Sequence, residues 1–260
     1  MMRFGYLRSP PHKVGKGHPI HVLSAVVSLP REAAVELAPV LNQEDQDCTA
    51  HAGALAIQSQ MRRAPDGGWY PLPSRRALYA ESRAIAGIAL TEDAGSYIWS
   101  TFDAMQRLGF CSESAWPYTG DNLTRFPDWE ALRESIDQRV LQGAYRITST
   151  GSERERDAAT AIAAGKVVTW GTVLDQQFVD LGPGDVWPGL VGREIGGHAM
   201  VLNAYRTASN GSREFLTRSS WGADWCDGGS AWVSSEALSS DNADDFWIVD
   251  VSVPRYSEVV

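Results

Sequence analysis

Cysteine is scarce in this 260-residue chain, which carries three, at positions 48, 111 and 226. Three are too few and too widely spaced for a disulfide framework, and an odd count leaves at least one free. A reducing compartment and a catalytic thiol both accommodate that pattern. Long apolar runs are missing too. The stretch from Met1 to Lys13 holds no hydrophobic segment of signal-peptide length, and nothing further on approaches the length that spans a bilayer. The expectation is a soluble, cytoplasmic protein without a membrane partner; release, or association with a virion, stays open. Positive charge is in the minority, 23 Lys and Arg against 32 Asp and Glu, with a net charge of −9. That balance argues against a nucleic-acid partner. Paired Cys/His spacing is absent, and the His18-Pro19-Ile20-His21 pair has neither thiol nor carboxylate nearby, so no metal is expected. Gly182-Pro183-Gly184 lacks the lysine and the following helix of a phosphate loop.

What is present is ample apolar content, 43% of residues, for one large domain or two small ones. The organising stretch is residues 43 to 62. There a polar, acidic loop (Gln43-Glu44-Asp45-Gln46-Asp47) runs into a helical pattern, with Cys48 at the junction. Ala50, Gly53, Ala54, Ile57 and Met61 recur at helical spacing and predict one buried face. Asp47 is a natural N-cap, which puts Cys48 in the first turn, where the helix dipole and unpaired N–H groups favour a thiolate. A buried cysteine in a small-residue helix is the plainer reading of this stretch by itself.

Before that helix, residues 1 to 29 are punctuated by Pro and Gly and carry Arg3, Arg8, Lys13 and Lys16 with no acid before Glu32. The choices are an arm on the acidic body, a short pro-like segment or a solvated tail. Leu23 to Leu29 reads as a strand or extended connection. Further helices are predicted over Arg75 to Leu90, Glu92 to Leu108 with Gly109 as C-cap, Asp128 to Gln142, and Ser152 to Ala164. The period then changes. Val167 to Val173, His198 to Tyr205, Glu214 to Ser220, Ser230 to Val233 and Phe246 to Val253 read as strands, with a glycine-rich loop at Gly182 to Gly197. Helices followed by strands, without alternation, give an α+β class with two lobes.

His198 stands apart among the five histidines: it follows Gly196-Gly197 and opens an apolar strand. Downstream, Thr217 to Gly229 is a strand ending in a turn with two tryptophans, Trp221 and Trp225. Packing of a barrel corner explains these residues; so does the shielding of a hydrogen bond from water.

Four blocks taken together resemble the papain-like (C1) cysteine peptidases, in particular the prokaryotic and viral branch without a long pro-region. They are Gln43 to Ala54; Glu92 to Ile98 with Phe110 to Tyr118; Gly196-Gly197-His198-Ala199; and Arg218 to Gly229. They stand in the family's order over roughly residues 28 to 240. The resemblance implies two lobes around a cleft. A helical lobe covers about 43–125 and an antiparallel β-barrel lobe about 126–260, with 28–42 crossing over and 1–27 as an arm. It implies Cys48 as nucleophile, His198 as base and later acid, and Gln43 as oxyanion donor. Gly95 and Ser96, with Gly197, would hold an extended peptide or protein substrate, and Trp221 would cover the histidine's hydrogen bond. No cofactor is implied.

Several positions depart from the family pattern. Ser219 stands where the family has the asparagine that orients the histidine, and a serine needs a closer approach or a bridging water. Asn203 is no substitute, since its odd offset along the strand points it away. The glutamine spacing is one residue short, so Gln43 and Gln46 both qualify, with Gln43 preferred for reach. Glu44, Asp45 and Asp47 crowd the thiol with charge that raises its pKa. Thr49 replaces an aromatic, and Asp93 replaces a cysteine of the family's disulfide, leaving Cys111 and Cys226 structural. His51, three residues from Cys48, is a rival base without a second element to orient it, and reads better as a surface or interlobe histidine. The rivals to a peptidase are a papain-fold pseudo-enzyme acting as a binding or assembly module, and another Cys–His amide hydrolase or acyl transferase.

Overall fold

A computed structural model describes residues 2–10, 18–19, 28–61 and 68–252. Its helices are α1 (Cys48–Met61), α2 (Arg75–Ala86), α3 (Ile98–Leu108), α4 (Trp129–Asp137), α5 (Gly151–Ala163), α6 (Gln176–Val179) and α7 (Ser235–Ser239). The strands are β1 (His18–Pro19), β2 (Glu32–Ala34), β3 (Leu141–Arg146), β4 (Val168–Leu174), β5 (Val186–Trp187), β6 (Gly196–Thr207), β7 (Arg213–Arg218), β8 (Ser230–Ser234) and β9 (Ala243–Val251). They form one sheet in the order β1-β3-β9-β4-β6-β7-β8-β5, with β2 added against the far end of β6.

The alternation along the central strands explains how this sheet divides the molecule. Trp170 of β4, Met200 and Leu202 of β6 and Phe246 and Ile248 of β9 point into one core, closed by α5 and α7. Ala199 and Val201 of β6 and Trp247 and Val249 of β9 point into a second core with α1, α2 and α3. Strands buried on both faces read as continuous apolar runs, and these do. The two lobes are therefore the two sides of one sheet, with α1 lying against β6 at the seam.

α1 is buried on every side from Cys48 to Ser59, not along one face. Its small residues permit this: a Cβ added at Gly53 would come within 2.7 Å of Thr101 Cγ2 on α3. α2 ends at Ala86, capped by Gly87 in the left-handed region (φ 73°), earlier than the expected Leu90. The expected helix from Glu92 begins only at Ile98, because Ser96 spends its backbone on an extended partner. The expected helix over Asp128 to Gln142 stops at Asp137, and Leu141 to Arg146 instead becomes β3, paired with β9. The glycine-rich loop contains β5. Most of the strand expected over Leu23 to Leu29 lies outside the described residues.

Candidate active site

Cys48 opens α1 and is fully buried. Asp47 sits at the N-cap position, its carbonyl accepting from the His51 N–H at 3.1 Å. Its side chain does not cap the helix, contrary to expectation. Oδ2 accepts from Arg76 at 3.1 Å and Oδ1 lies 3.3 Å from His51 Nδ1. Burial alone would raise the Asp47 pKa; His51 and Arg76 outweigh it and hold the carboxyl below its ordinary range. Arg76 also takes Asp45 at 2.5 Å, so one guanidinium serves two of the loop's three carboxylates. His51 is buried, neither on the surface nor free to act as base. Its Nε2 meets Arg75 Nη1 at 3.1 Å, and its ring stands edge-on to Tyr118.

The sulfur of Cys48 packs against the backbone N–H groups of Ala199, next to His198, and of Gly5. Ala199 thus brings the strand of His198 up to the thiol, while the His198 Nδ1 finds no hydrogen-bond partner among the described residues. On its other edge, His198 Nε2 and Ser219 Oγ are 2.9 Å apart. The serine therefore reaches the ring directly, with no bridging water. A cavity of about 10 Å³ beside it, lined by His51, Ala199, Arg218, Ser219 and Ser220, marks the volume that a longer side chain would claim. Trp221 stacks on the imidazole at 4.4 Å and 20°, shielding that hydrogen bond. Asn203 turns away and donates to the Val35 carbonyl.

Gln43 is fixed at both ends of its amide. Its Oε1 accepts from Ser220 Oγ at 2.5 Å, while Nε2 donates to the Asp45 carbonyl at 2.8 Å and to the Arg3 carbonyl at 3.3 Å. Gln46 faces elsewhere: its backbone and side-chain N–H groups both go to Asp93. Asp93 also accepts from Tyr79 at 2.8 Å, so hydrogen bonds tie this loop down where a disulfide was ruled out. Cys111 is buried and Cys226 half-buried, and both are free.

Of the readings open for residues 1 to 29, the arm and the pro-like segment suit what fills the cleft better than the solvated tail does. Residues 3 to 7 run through it as an extended strand. The Tyr6 N–H donates to the Gly197 carbonyl (3.1 Å), the Leu7 N–H to the Ser96 carbonyl (2.9 Å), and the Ser96 N–H to the Gly5 carbonyl (2.8 Å). The Arg3 carbonyl is shared by Gln43 Nε2 and Trp221 Nε1 (3.2 Å). Phe4 stands edge-on to both His198 and Trp221. Of the two residues expected to hold a backbone, Ser96 supplies both hydrogen bonds. Gly95 instead supplies clearance: a Cβ there would lie 2.3 Å from the Gly5 carbonyl oxygen, and its φ of 77° favours glycine anyway. Its own N–H is taken by Tyr79. Gly197 is close-packed in the same way, under the Tyr6 carbonyl.

This cover sets the electrostatics. Burial pushes the Cys48 thiol up to about 12, the charge of Asp47 adds to it, and the N–H groups of Ala199, Gly5 and Thr49 pull the other way without prevailing. Burial, with His51 nearby, brings His198 down to about 3. The resting pair is thus a neutral thiol and a neutral imidazole, not the ion pair that the helix dipole suggested. Desolvation outweighs the dipole here because no water reaches either group.

No family model matches the sequence, and no curated protein matches it. Solved structures do. Xylellain, a cysteine protease from Xylella fastidiosa, superposes with a TM-score of 0.79 at 22% identity, covering 96% of both chains. Procathepsin B S9 from Trypanosoma congolense gives 0.73 at 13% identity, over 96% of this chain and 87% of its own. Bromelain from Ananas comosus, solved in complex with the E64 inhibitor, gives 0.66 at 18%, over 86% and 100%. All three are cysteine proteases with the papain-like fold, and this chain has that fold.

Proposed function

We propose that the chain is a cysteine peptidase whose own residues 2–10 hold it at rest. In the working state Cys48 Sγ attacks a peptide carbonyl carbon, and the oxyanion is met by Gln43 Nε2 and the Cys48 backbone N–H. His198 hands the thiol's proton to the leaving amine, then takes one from the water that hydrolyses the thioester. Ser219 and Trp221 hold the imidazole for both transfers.

The observation that carries this reading is the peptide already in the cleft. Its main chain is hydrogen-bonded by Ser96 and Gly197 on opposite walls, with one carbonyl between Gln43 and Trp221. A groove that binds an extended backbone in this way would bind another chain's. Once the arm leaves and water returns, the thiol's pKa falls and the imidazole's rises, which restores the ion pair.

The neutral resting pair also favours a second reading, a papain-fold binding module that never works as a catalyst. Iodoacetamide labelling of the full chain, alongside hydrolysis of a mixed fluorogenic peptide pool, separates the two. Under conditions that loosen the arm, such as mild urea, the peptidase reading expects fast labelling of Cys48 together with hydrolysis. Both should vanish in His198→Ala. Labelling at the same rate as Cys111, without hydrolysis, favours the binding module.

A further inference from the structure

The arm plants one side chain deeply. Tyr6 is 6% exposed and enters a recess in the wall of the cleft. Its ring lies flat on Gly171, where an added Cβ would fall 2.4 to 2.7 Å from Cζ, Cε1 and Cε2, and its near edge passes Gly197. At the bottom its hydroxyl donates to Asp245 Oδ2 at 3.1 Å. Asp245 is 1% exposed and adopts φ 52°, a backbone state that residues with side chains rarely enter. Such strain is kept where surroundings impose it, and here it accompanies a carboxylate at the floor of a recess. Oδ1 of the same carboxylate is engaged by Arg146 at 3.2 Å, which leaves Oδ2 as the acceptor facing inward. Ser9 donates to Oδ2 as well, and it belongs to the same departing arm.

We propose that Asp245 makes this recess selective for tyrosine at the substrate position paired with Ser96, by accepting from the phenolic hydroxyl. The inference rests on the peptidase reading for its substrate but not for its pocket. Three features define the choice. The bare Gly171 backbone makes a slot the thickness of an aromatic ring and closes it to branched side chains. When the arm leaves, Asp245 Oδ2 loses both hydroxyl donors, so phenylalanine would bury an unmet acceptor while tyrosine satisfies it. An arginine would set a second guanidinium against Arg146, which already holds the carboxylate.

The test uses full-length Tyr6→Ala and small probes read by NMR titration: p-cresol, toluene and propylguanidinium, the side chains of Tyr, Phe and Arg. p-Cresol should bind at least about tenfold more tightly than either of the others, the value of one hydrogen bond to a charged acceptor. Adding Asp245→Ala should abolish that preference. Adding Gly171→Ala, which leaves the carboxylate in place, should weaken p-cresol at least about tenfold by filling the slot. Binding of toluene or propylguanidinium equal to that of p-cresol overturns the proposal. So does a peptide-library cleavage profile from Tyr6→Ala that is indifferent to tyrosine at every position. Selective p-cresol binding in a variant that cleaves nothing upholds the pocket and sinks the peptidase reading instead.

Discussion

Gly5 is where the resting state can be broken with one methyl group. A Cβ at this position would lie 1.8 Å from the backbone carbonyl oxygen of Gln46, an overlap that no rotamer relieves. The arm's hold can be gauged. Five backbone-directed hydrogen bonds contribute about 1 kcal/mol each. Burial of Tyr6 and part of Phe4 adds about 3 kcal/mol, and the two hydroxyls on Asp245 about 2 kcal/mol. Ordering residues 3 to 9 costs about 1 kcal/mol or somewhat more per residue. The margin is a few kcal/mol, which is less than the cost of moving backbone by more than an ångström. Gly5→Ala should therefore release the arm. A margin of about 2 kcal/mol corresponds to roughly a 30-fold change in exposed population, and the fall in the Cys48 pKa multiplies the effect on reactivity. Alkylation of Cys48 by iodoacetamide at pH 7.5, followed by peptide mapping with half-buried Cys226 as internal standard, should run at least about 30-fold faster in Gly5→Ala than in the unaltered chain. Equal rates in the two proteins would refute the reasoning, since they would mean that the arm does not govern access to the thiol.

Four other outcomes follow. In a Gly5→Ala background, Ser219→Ala should lower kcat about tenfold or more, because the imidazole loses its one hydrogen-bond partner among the described residues. Ser219→Asn should not raise kcat, because the serine already reaches the ring directly at 2.9 Å; a clear gain would show that the serine orients the ring poorly. Gln43→Ala should cost about 100-fold in kcat with little change in KM, as expected of an oxyanion donor, and a change confined to KM would remove it from that role. Away from the site, burial pushes Glu81 up to about 8 from 4.5, and neither of its oxygens has a partner among the described residues. The folded state then binds the extra proton, so stability should fall as pH rises through that window, most of the loss being complete above it. Glu81→Gln, which resembles the protonated acid, should flatten the fall between pH 6 and pH 9 in urea melts; unchanged pH dependence would clear Glu81 of responsibility.

Residue identity alone carried the pieces that are local or that recur as motifs. Cys48 at a helix start, His198 at the mouth of a strand, Gln43 upstream and the Ser219–Trp221 turn were all legible, because each depends on a spacing of a few residues. So was the division into helices and then strands, which rests on periodicity. Local reading failed where a distant segment intervened. Glu92 to Tyr97 has helical composition, yet its backbone is claimed by residues 5 to 7, some ninety positions earlier in the chain. Leu141 and Gln142 looked like the tail of a charged helix, yet β9 recruits Leu141 to Arg146 into the sheet.

Other properties belong to the folded molecule only. A helix dipole favoured an activated thiol and the nearby acids opposed it, but the charge state follows from exclusion of water, and water is excluded by an arm whose placement the sequence left open. Arg76 pairs with Asp45 and Asp47 of the acidic loop from another helix, and Asp245 meets Tyr6 across 239 positions. Desolvation and long-range pairing are properties of a packed volume, so composition and spacing could name the reacting atoms while only the tertiary arrangement decided their protonation and their access to substrate.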